Sequence, residues 1–173
     1  KGELRPPSDK SLTHRGYLFA ACASSESEIR SPLLAEDCES TLHCLKTLGA
    51  EFVRSADGAV RIIPSKDWIQ PQVDLDCGNS GTTMRLLSGL IASRPIHVRM
   101  VGDASLSRRP MRRIAEPLRL MGADITGETA PLIIRGKQLR GIQYVSPMAS
   151  AQVKSCVRLA GLRAEGESWV TEP

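Results

Sequence analysis

Apolar and polar positions along the chain fall into blocks that occur twice in the same order. "SDKSLTHRGYLFAACAS" (8–24) opens with polar, turn-prone residues and continues with an arginine and an apolar stretch of helical spacing; "GNSGTTMRLLSGLIAS" (78–93) does the same. Downstream of each, "CLKTLGAEFVRSADGAVRIIPS" (44–65) and "PLRLMGADITGETAPLIIRG" (117–136) share a helical tail, a Leu/Met-Gly-Ala-acid punctuation, a short strand, a turn and a second strand. Gly49 and Gly122 stand where each helix should stop, at the position that tolerates a left-handed backbone. "MASAQVKSCVRLAGLRAEG" (148–166) begins a third copy, cut off at Pro173.

The pattern predicts an α/β (α+β) fold made of helix-strand-helix-strand-strand units. In the first unit it predicts helices over 11–23 and 37–48 and strands over 27–32, 51–56 and 59–64. In the second it predicts helices over 80–92 and 110–121 and strands over 96–102, 123–127 and 131–135. Pro110 is expected at the first helical position, and Pro117 is expected to kink that helix or restart it at Glu116. No linker or low-complexity segment divides the chain, so one repeat domain is expected over 8–173, incomplete at its C-terminal end, with units at about 8–66, 74–137 and 141–173. Residues 1–7 are expected to be an incoming strand or linker from another domain.

Composition narrows the class. At 173 residues the chain can bury one sizeable core or two small ones. With 41% hydrophobic and 24% charged residues, and no apolar run near the about 20 residues that span a bilayer, it is expected to be soluble and cytoplasmic, with no membrane partner. It begins at Lys1 with no methionine and no signal-like segment, so a piece of a longer protein is expected. The five cysteines (Cys22, Cys38, Cys44, Cys77, Cys156) are never spaced as CxxC, and the three histidines show no ligand spacing, so no metal is expected.

A net charge of +4, with arginines concentrated between Arg94 and Arg119, favours an anionic partner. Only 3% of residues are aromatic, which leaves little for the stacking platforms of nucleic-acid binders; no nucleic-acid partner is expected, and a small anionic metabolite fits better.

The repeat gives that anion a place. Equivalent helices starting near Ser11, Ser80 and Ala151 should point in similar directions, and each start offers free backbone N–H groups and about half a positive charge. In "PPSDKSLTHR" (6–15), Asp9 or Ser8 can cap the helix while Lys10, Ser11, His14 and Arg15 share one broad arc. A capped start with solvated cations accounts for this stretch as well as an anion site does. "GNSGTTMR" (78–85) sets Gly78 and Gly81 around Asn79, where backbone could approach a ligand or simply turn from strand to helix. "LSRRPM" (106–111) leaves Arg108 and Arg109 beside a positive helix end, a tension that a bound carboxylate or phosphate would resolve and that Glu116 or water could also screen. "SAQVKS" (150–155) is compatible with any capped helix.

Together and in this order, the four stretches resemble the EPSP synthase (3-phosphoshikimate 1-carboxyvinyltransferase) family. "DKSLTHR" is similar to the family's "DKSxSHR", "GNSGTTMR" to "GNAGTxxR", "LSRRPM" to its "RPM" segment, and "SAQVKS" to "S[SA]QxxS". The resemblance covers essentially the whole chain. It implies an inside-out barrel of two domains, each built from three βαβαββ-type units, of which this chain would hold two and part of a third. It implies transfer of the enolpyruvyl group of phosphoenolpyruvate to the 5-hydroxyl of shikimate 3-phosphate, with no cofactor, in an enzyme that is a monomer at full length.

By matching position, it implies that Lys10 touches both substrates, that Ser11, Arg15, Ser150, Ala151 and Gln152 hold shikimate 3-phosphate, and that Asn79, Gly81, Arg109 and Gln152 hold phosphoenolpyruvate. Ala151 stands where many relatives have a second serine, so only a backbone contact is expected there. Ser8 replaces a family glycine, so strain or a different turn is expected at that position. The general acid and base are expected beyond Pro173, in the other domain, as is catalysis, so the 173-residue chain alone is expected to be inactive. Two rivals are a UDP-sugar enolpyruvyl transferase, which would share the repeat without "DKSLTHR" plus "SAQVKS", and a non-catalytic anion- or nucleic-acid-binding module.

Overall fold

Three helices begin where a side chain takes up a free backbone N–H. The computed structural model describes residues 2–4 and 7–173, and in it Asp9 accepts from the Leu12 N–H at 2.7 Å, Ser80 from Thr83 at 3.1 Å and Ser150 from Val153 at 3.4 Å. They start α1 (Lys10–Ala20), α3 (Gly81–Ala92) and α5 (Ala151–Gly161). Between them lie α2 (Glu36–Thr47) and α4 (Arg112–Leu120).

The ends of α2 and α4 follow the glycine punctuation. Gly49 and Gly122 have φ of 100° and 95°. In each case the glycine N–H and the next N–H fold back onto carbonyls of the last turn: Gly49 to Lys46 at 2.9 Å and Ala50 to Leu45 at 3.0 Å, Gly122 to Arg119 and Ala123 to Leu118 at 2.9 Å. This closure turns the chain sharply into the hairpins that follow.

The strands are β1 (Ser27–Ile29), β2 (Glu51–Arg54), β3 (Val60–Ile63), β4 (Leu75–Asp76), β5 (His97–Val101), β6 (Asp124–Thr126), β7 (Leu132–Arg135), β8 (Gln143–Val145) and β9 (Trp169–Thr171). They form sheets ordered β1-β3-β2, β4-β5-β7-β6 and β8-β9. In the first two sheets the strand before the second helix pairs antiparallel with the last strand of the following hairpin, β1 with β3 and β5 with β7. The parallel pair β4/β5 recurs as the parallel pair β8/β9. Alternation sends Val98 and Met100, Leu132 and Ile134, and Val60 and Ile62 into the core and their neighbours Arg99, Arg135 and Arg61 outward.

Helix α3 is buried at nearly every position, as its mostly apolar sequence requires. Gly89 lets it lie against α5: a Cβ there would meet the backbone carbonyl of Cys156. Side chains from all five helices and from β3 to β7 join in one core.

Several boundaries differ from the sequence reading. The helix expected from Pro110 begins at Arg112; Leu106–Arg108 form a short 3₁₀ turn, and the Met111 N–H is taken by the Glu128 carbonyl at 2.7 Å. Pro117 neither breaks nor restarts α4, which runs on to Leu120. The strand expected over 27–32 stops at Ile29 because Ser31 adopts a φ of 51° ahead of Pro32. Ser31 is also the one non-glycine with positive φ among the described residues, so Ser8 is not strained; its hydroxyl donates to the Ser31 carbonyl at 2.7 Å. The incoming strand expected over 1–7 includes Lys1, Arg5 and Pro6, which lie outside the described residues, while residues 2–4 and Pro7 carry neither helix nor strand.

Candidate functional site

Four helix starts are tied together by side chains. With Asp9 engaged in capping, Lys10 in the first turn of α1 is free to reach across, and its Nζ donates to Asp37 Oδ2 at 2.9 Å in the first turn of α2. The Asp37 carbonyl accepts from Thr83 Oγ1 at 3.2 Å in the first turn of α3. One residue earlier on α3, Thr82 Oγ1 accepts from Gln152 Nε2 at 3.0 Å, in the first turn of α5. The N-terminal partial charges of all four helices therefore add over one region.

A buried chain of hydroxyls stands behind this surface. His14 Nδ1 lies 2.7 Å from Thr41 Oγ1, which lies 2.7 Å from Thr83 Oγ1, which lies 2.7 Å from Ser80 Oγ. His14 is fully buried and its Nε2 has no partner, so burial holds its pKa down to about 4. A neutral ring donating from Nδ1 leaves only a lone pair unpaired at Nε2. His14 therefore packs and orients the helix starts and is not a proton donor to a ligand.

Arginines crowd the start of α3. Arg109 grips Asn79 twice, NH2 donating to Oδ1 at 2.6 Å and NH1 to the backbone carbonyl at 3.2 Å. Asn79 Nδ2 in turn donates to Asp103 Oδ2 at 2.7 Å, a bond that leads the causes holding the Asp103 carboxyl below its ordinary range. Arg85 is 5% exposed, and burial, then the charges of Arg113 and Arg109, push it down to about 10. Both guanidiniums pass over Gly81, where a Cβ would sit 2.9 Å from Arg85 NH1 and 3.4 Å from Arg109 NH1. Among the described residues no carboxylate pairs with Arg85, Arg109 or Arg113 within 4.0 Å. Such a cluster of positive charge over a wall of helix starts is built to receive an anion.

The structure thus brings Lys10, Asn79, Gly81, Arg109 and Gln152 together around the start of α3. Arg109 gets there from a direction the sequence did not suggest, reaching back to Asn79 from the end of the 3₁₀ turn instead of standing at the start of α4. Arg15 lies one turn further along α1 and bridges to α5, donating to the Ser11 carbonyl at 3.2 Å and to Ser155 Oγ at 3.1 Å. It lines one end of an apolar cleft between α1 and α5 with Leu18, Phe19, Leu159 and Leu162. Ser150 caps α5 while its own N–H is taken by Glu172 Oε1 at 3.0 Å, and Ala151 is exposed beside it.

Sequence reading gave no site role to Asp37, Thr82, Arg85 or Glu172, although Thr82 and Arg85 stand within "GNSGTTMR". Glu172 pairs with Lys154 at 2.5 Å, a bond that holds the Glu172 carboxyl below its ordinary range. Among the described residues no group of His, Cys, Asp and Glu is placed to hold a metal, and no helix is long and apolar enough to cross a membrane.

Residues 1–173 match the family described as EPSP synthase (3-phosphoshikimate 1-carboxyvinyltransferase). The chain is 51% identical over 178 residues to the 3-phosphoshikimate 1-carboxyvinyltransferase of Desulfitobacterium hafniense, covering 100% of itself and 41% of that relative. Against that of Brevibacillus brevis it is 48% identical, covering 100% of itself and 42% of the relative. A solved EPSP synthase from Acinetobacter baumannii superposes with a TM-score of 0.94 at 48% identity, over 99% of this chain and 40% of that one. The chain spans about two-fifths of the length of these relatives.

Proposed function

The chain belongs to the EPSP synthase family, and from that premise we propose that it is the substrate-binding portion of an enzyme that transfers the enolpyruvyl group of phosphoenolpyruvate to the 5-hydroxyl of shikimate 3-phosphate, releasing phosphate. The observation that carries the reading is the convergence of Lys10, Asn79, Gly81, Arg109 and Gln152 on the start of α3, beside arginines, Arg85, Arg109 and Arg113, that pair with no carboxylate among the described residues. Both substrates are multiply charged anions, the ligands such a surface selects.

In this reading Lys10, kept protonated by the hydrogen bond and charge of Asp37, sits between the two substrates. Arg109 offers its fork to phosphoenolpyruvate, Asn79 holds that fork in place, and Gly81 lets the ligand approach the backbone N–H groups of α3. Ser11, Arg15, Ser150 and Ala151 hold shikimate 3-phosphate, and Gln152 spans both ligands. The reaction adds the 5-hydroxyl to C2 of phosphoenolpyruvate as its methylene gains a proton. The resulting tetrahedral intermediate then loses phosphate, and a proton leaves the methyl group. Both steps need a positioned acid and base. His14 is buried and neutral, and Asp37 and Asp103 are engaged with Lys10 and Asn79. As the family resemblance implies, the acid and base come from the remainder of the protein, a second domain that closes over this one in a monomeric, cytoplasmic enzyme. The repeat units run over about 8–66, 74–137 and 141–173, the last completed downstream.

The test is phosphate release by the full-length protein supplied with phosphoenolpyruvate and either shikimate 3-phosphate or a UDP-sugar acceptor. Release with shikimate 3-phosphate alone is expected. Release only with the UDP-sugar would reassign the substrate.

A further inference from the structure

Arg85 is the most deeply buried cation described, one turn into α3, and it has no counter-ion. A guanidinium in that setting costs free energy that a leucine or methionine would not, so its retention calls for a task. Its polar contacts define one. NH1 donates to Gln152 Oε1 at 2.7 Å, NH2 reaches the Pro110 carbonyl at 3.5 Å, and Nε has no partner.

A glutamine amide can face either way, and the two faces are opposite in sign: the oxygen repels an anion and the NH2 group attracts one. Arg85 removes the ambiguity. A guanidinium can only donate, so it fixes Oε1 on its own side and turns Nε2 toward Thr82 Oγ1 at 3.0 Å. One of the two Nε2 hydrogens is used on Thr82, and the other is left to donate. Resting on the proposed function above, we propose that Arg85 is a positioning residue: it locks the Gln152 amide with its NH2 group facing the anionic substrates and its oxygen turned away. The lock acts before any ligand arrives, so the amide's orientation need not be fixed at the moment of binding.

The experiment is a double-mutant cycle in the full-length protein, with KM for each substrate and kcat measured for wild type, Arg85→Met, Gln152→Ala and the double variant, alongside thermal unfolding. Arg85→Met is expected to raise KM by about tenfold or more with little change in unfolding temperature, since an apolar chain of similar length replaces an unpaired buried charge. In the Gln152→Ala background the same change is expected to matter by less than about threefold, because the amide it positions is gone. Arg85→Lys, which keeps the charge but loses the planar fork, is expected to stay impaired, and it decides alone if the methionine variant does not fold. Full activity in Arg85→Lys, an unimpaired Arg85→Met, or effects that multiply undiminished in the double variant would overturn the proposal while leaving the proposed function standing. No phosphate release by the wild-type protein would overturn both.

Discussion

Lys10 and Asp37 form a 2.9 Å ion pair between the first turns of α1 and α2, and the Asp37 carbonyl also receives the Thr83 hydroxyl at the start of α3. One aspartate thus ties three helix starts through its two ends. The pair is partly exposed, so it adds little to stability, about 1 kcal/mol at most. Its effect should appear in function. Asp37→Ala is expected to lower kcat/KM by about tenfold, the cost of an unheld lysine, while the unfolding temperature hardly moves. Steady-state kinetics beside a thermal melt check this, and a large drop in the melt with normal kinetics would contradict it.

His14 makes acid sensitivity predictable. Its folded pKa of about 4 lies below the ordinary 6.5, so folding favours the neutral ring. That contribution is fully present above pH 6.5 and is lost as pH falls from 6.5 toward about 4. The span corresponds to about 3 kcal/mol, at about 1.4 kcal/mol per unit. Chemical denaturation at pH 7 and pH 4 should show the wild type losing about that much more stability than His14→Asn, which keeps a polar atom near Thr41 and cannot protonate. Equal losses would contradict the buried neutral ring.

Two glycines of one helix should respond differently. At Gly89 an added Cβ meets the backbone of Cys156, which cannot move without separating α3 from α5, so Gly89→Ala is expected to cost about 1–3 kcal/mol or more. At Gly81 the Cβ meets the mobile ends of Arg85 and Arg109, which can shift. Gly81→Ala should therefore leave the melt nearly unchanged and raise the KM for phosphoenolpyruvate by about tenfold, equivalent to about 1.4 kcal/mol. Melts and kinetics on both variants separate the two outcomes.

How much of this could be read in the chain follows from the range of each interaction. The helices, their glycine stops and the hairpins were legible because each rests on contacts within a turn or two: Asp9 with Leu12, Gly49 with Lys46, Gly122 with Arg119. Strands β4 and β8, with two and three residues, are too short to show alternation and exist through parallel partners met later in the chain. The start of α4 lies at Arg112 instead of Pro110, with Met111 as its N-cap and the Met111 N–H bonded to the Glu128 carbonyl on the far hairpin, a contact that no local pattern shows.

The site divides the same way. Lys10, Asn79, Gly81, Arg109 and Gln152 stood in motifs with a family resemblance. Arg85 stood in one of them too, as the last residue of "GNSGTTMR", but its contact lies 67 residues away and was not legible there; Asp37 stands in none of these motifs and meets Lys10 across 27 residues.

The central claim is that the joined helix starts hold the reacting anions, with Lys10 between them. Phosphate release from phosphoenolpyruvate and shikimate 3-phosphate by full-length Lys10→Ala tests it most directly. The account predicts turnover reduced by about a hundredfold or more, with the fold intact by thermal melt; turnover equal to that of the wild type would contradict it.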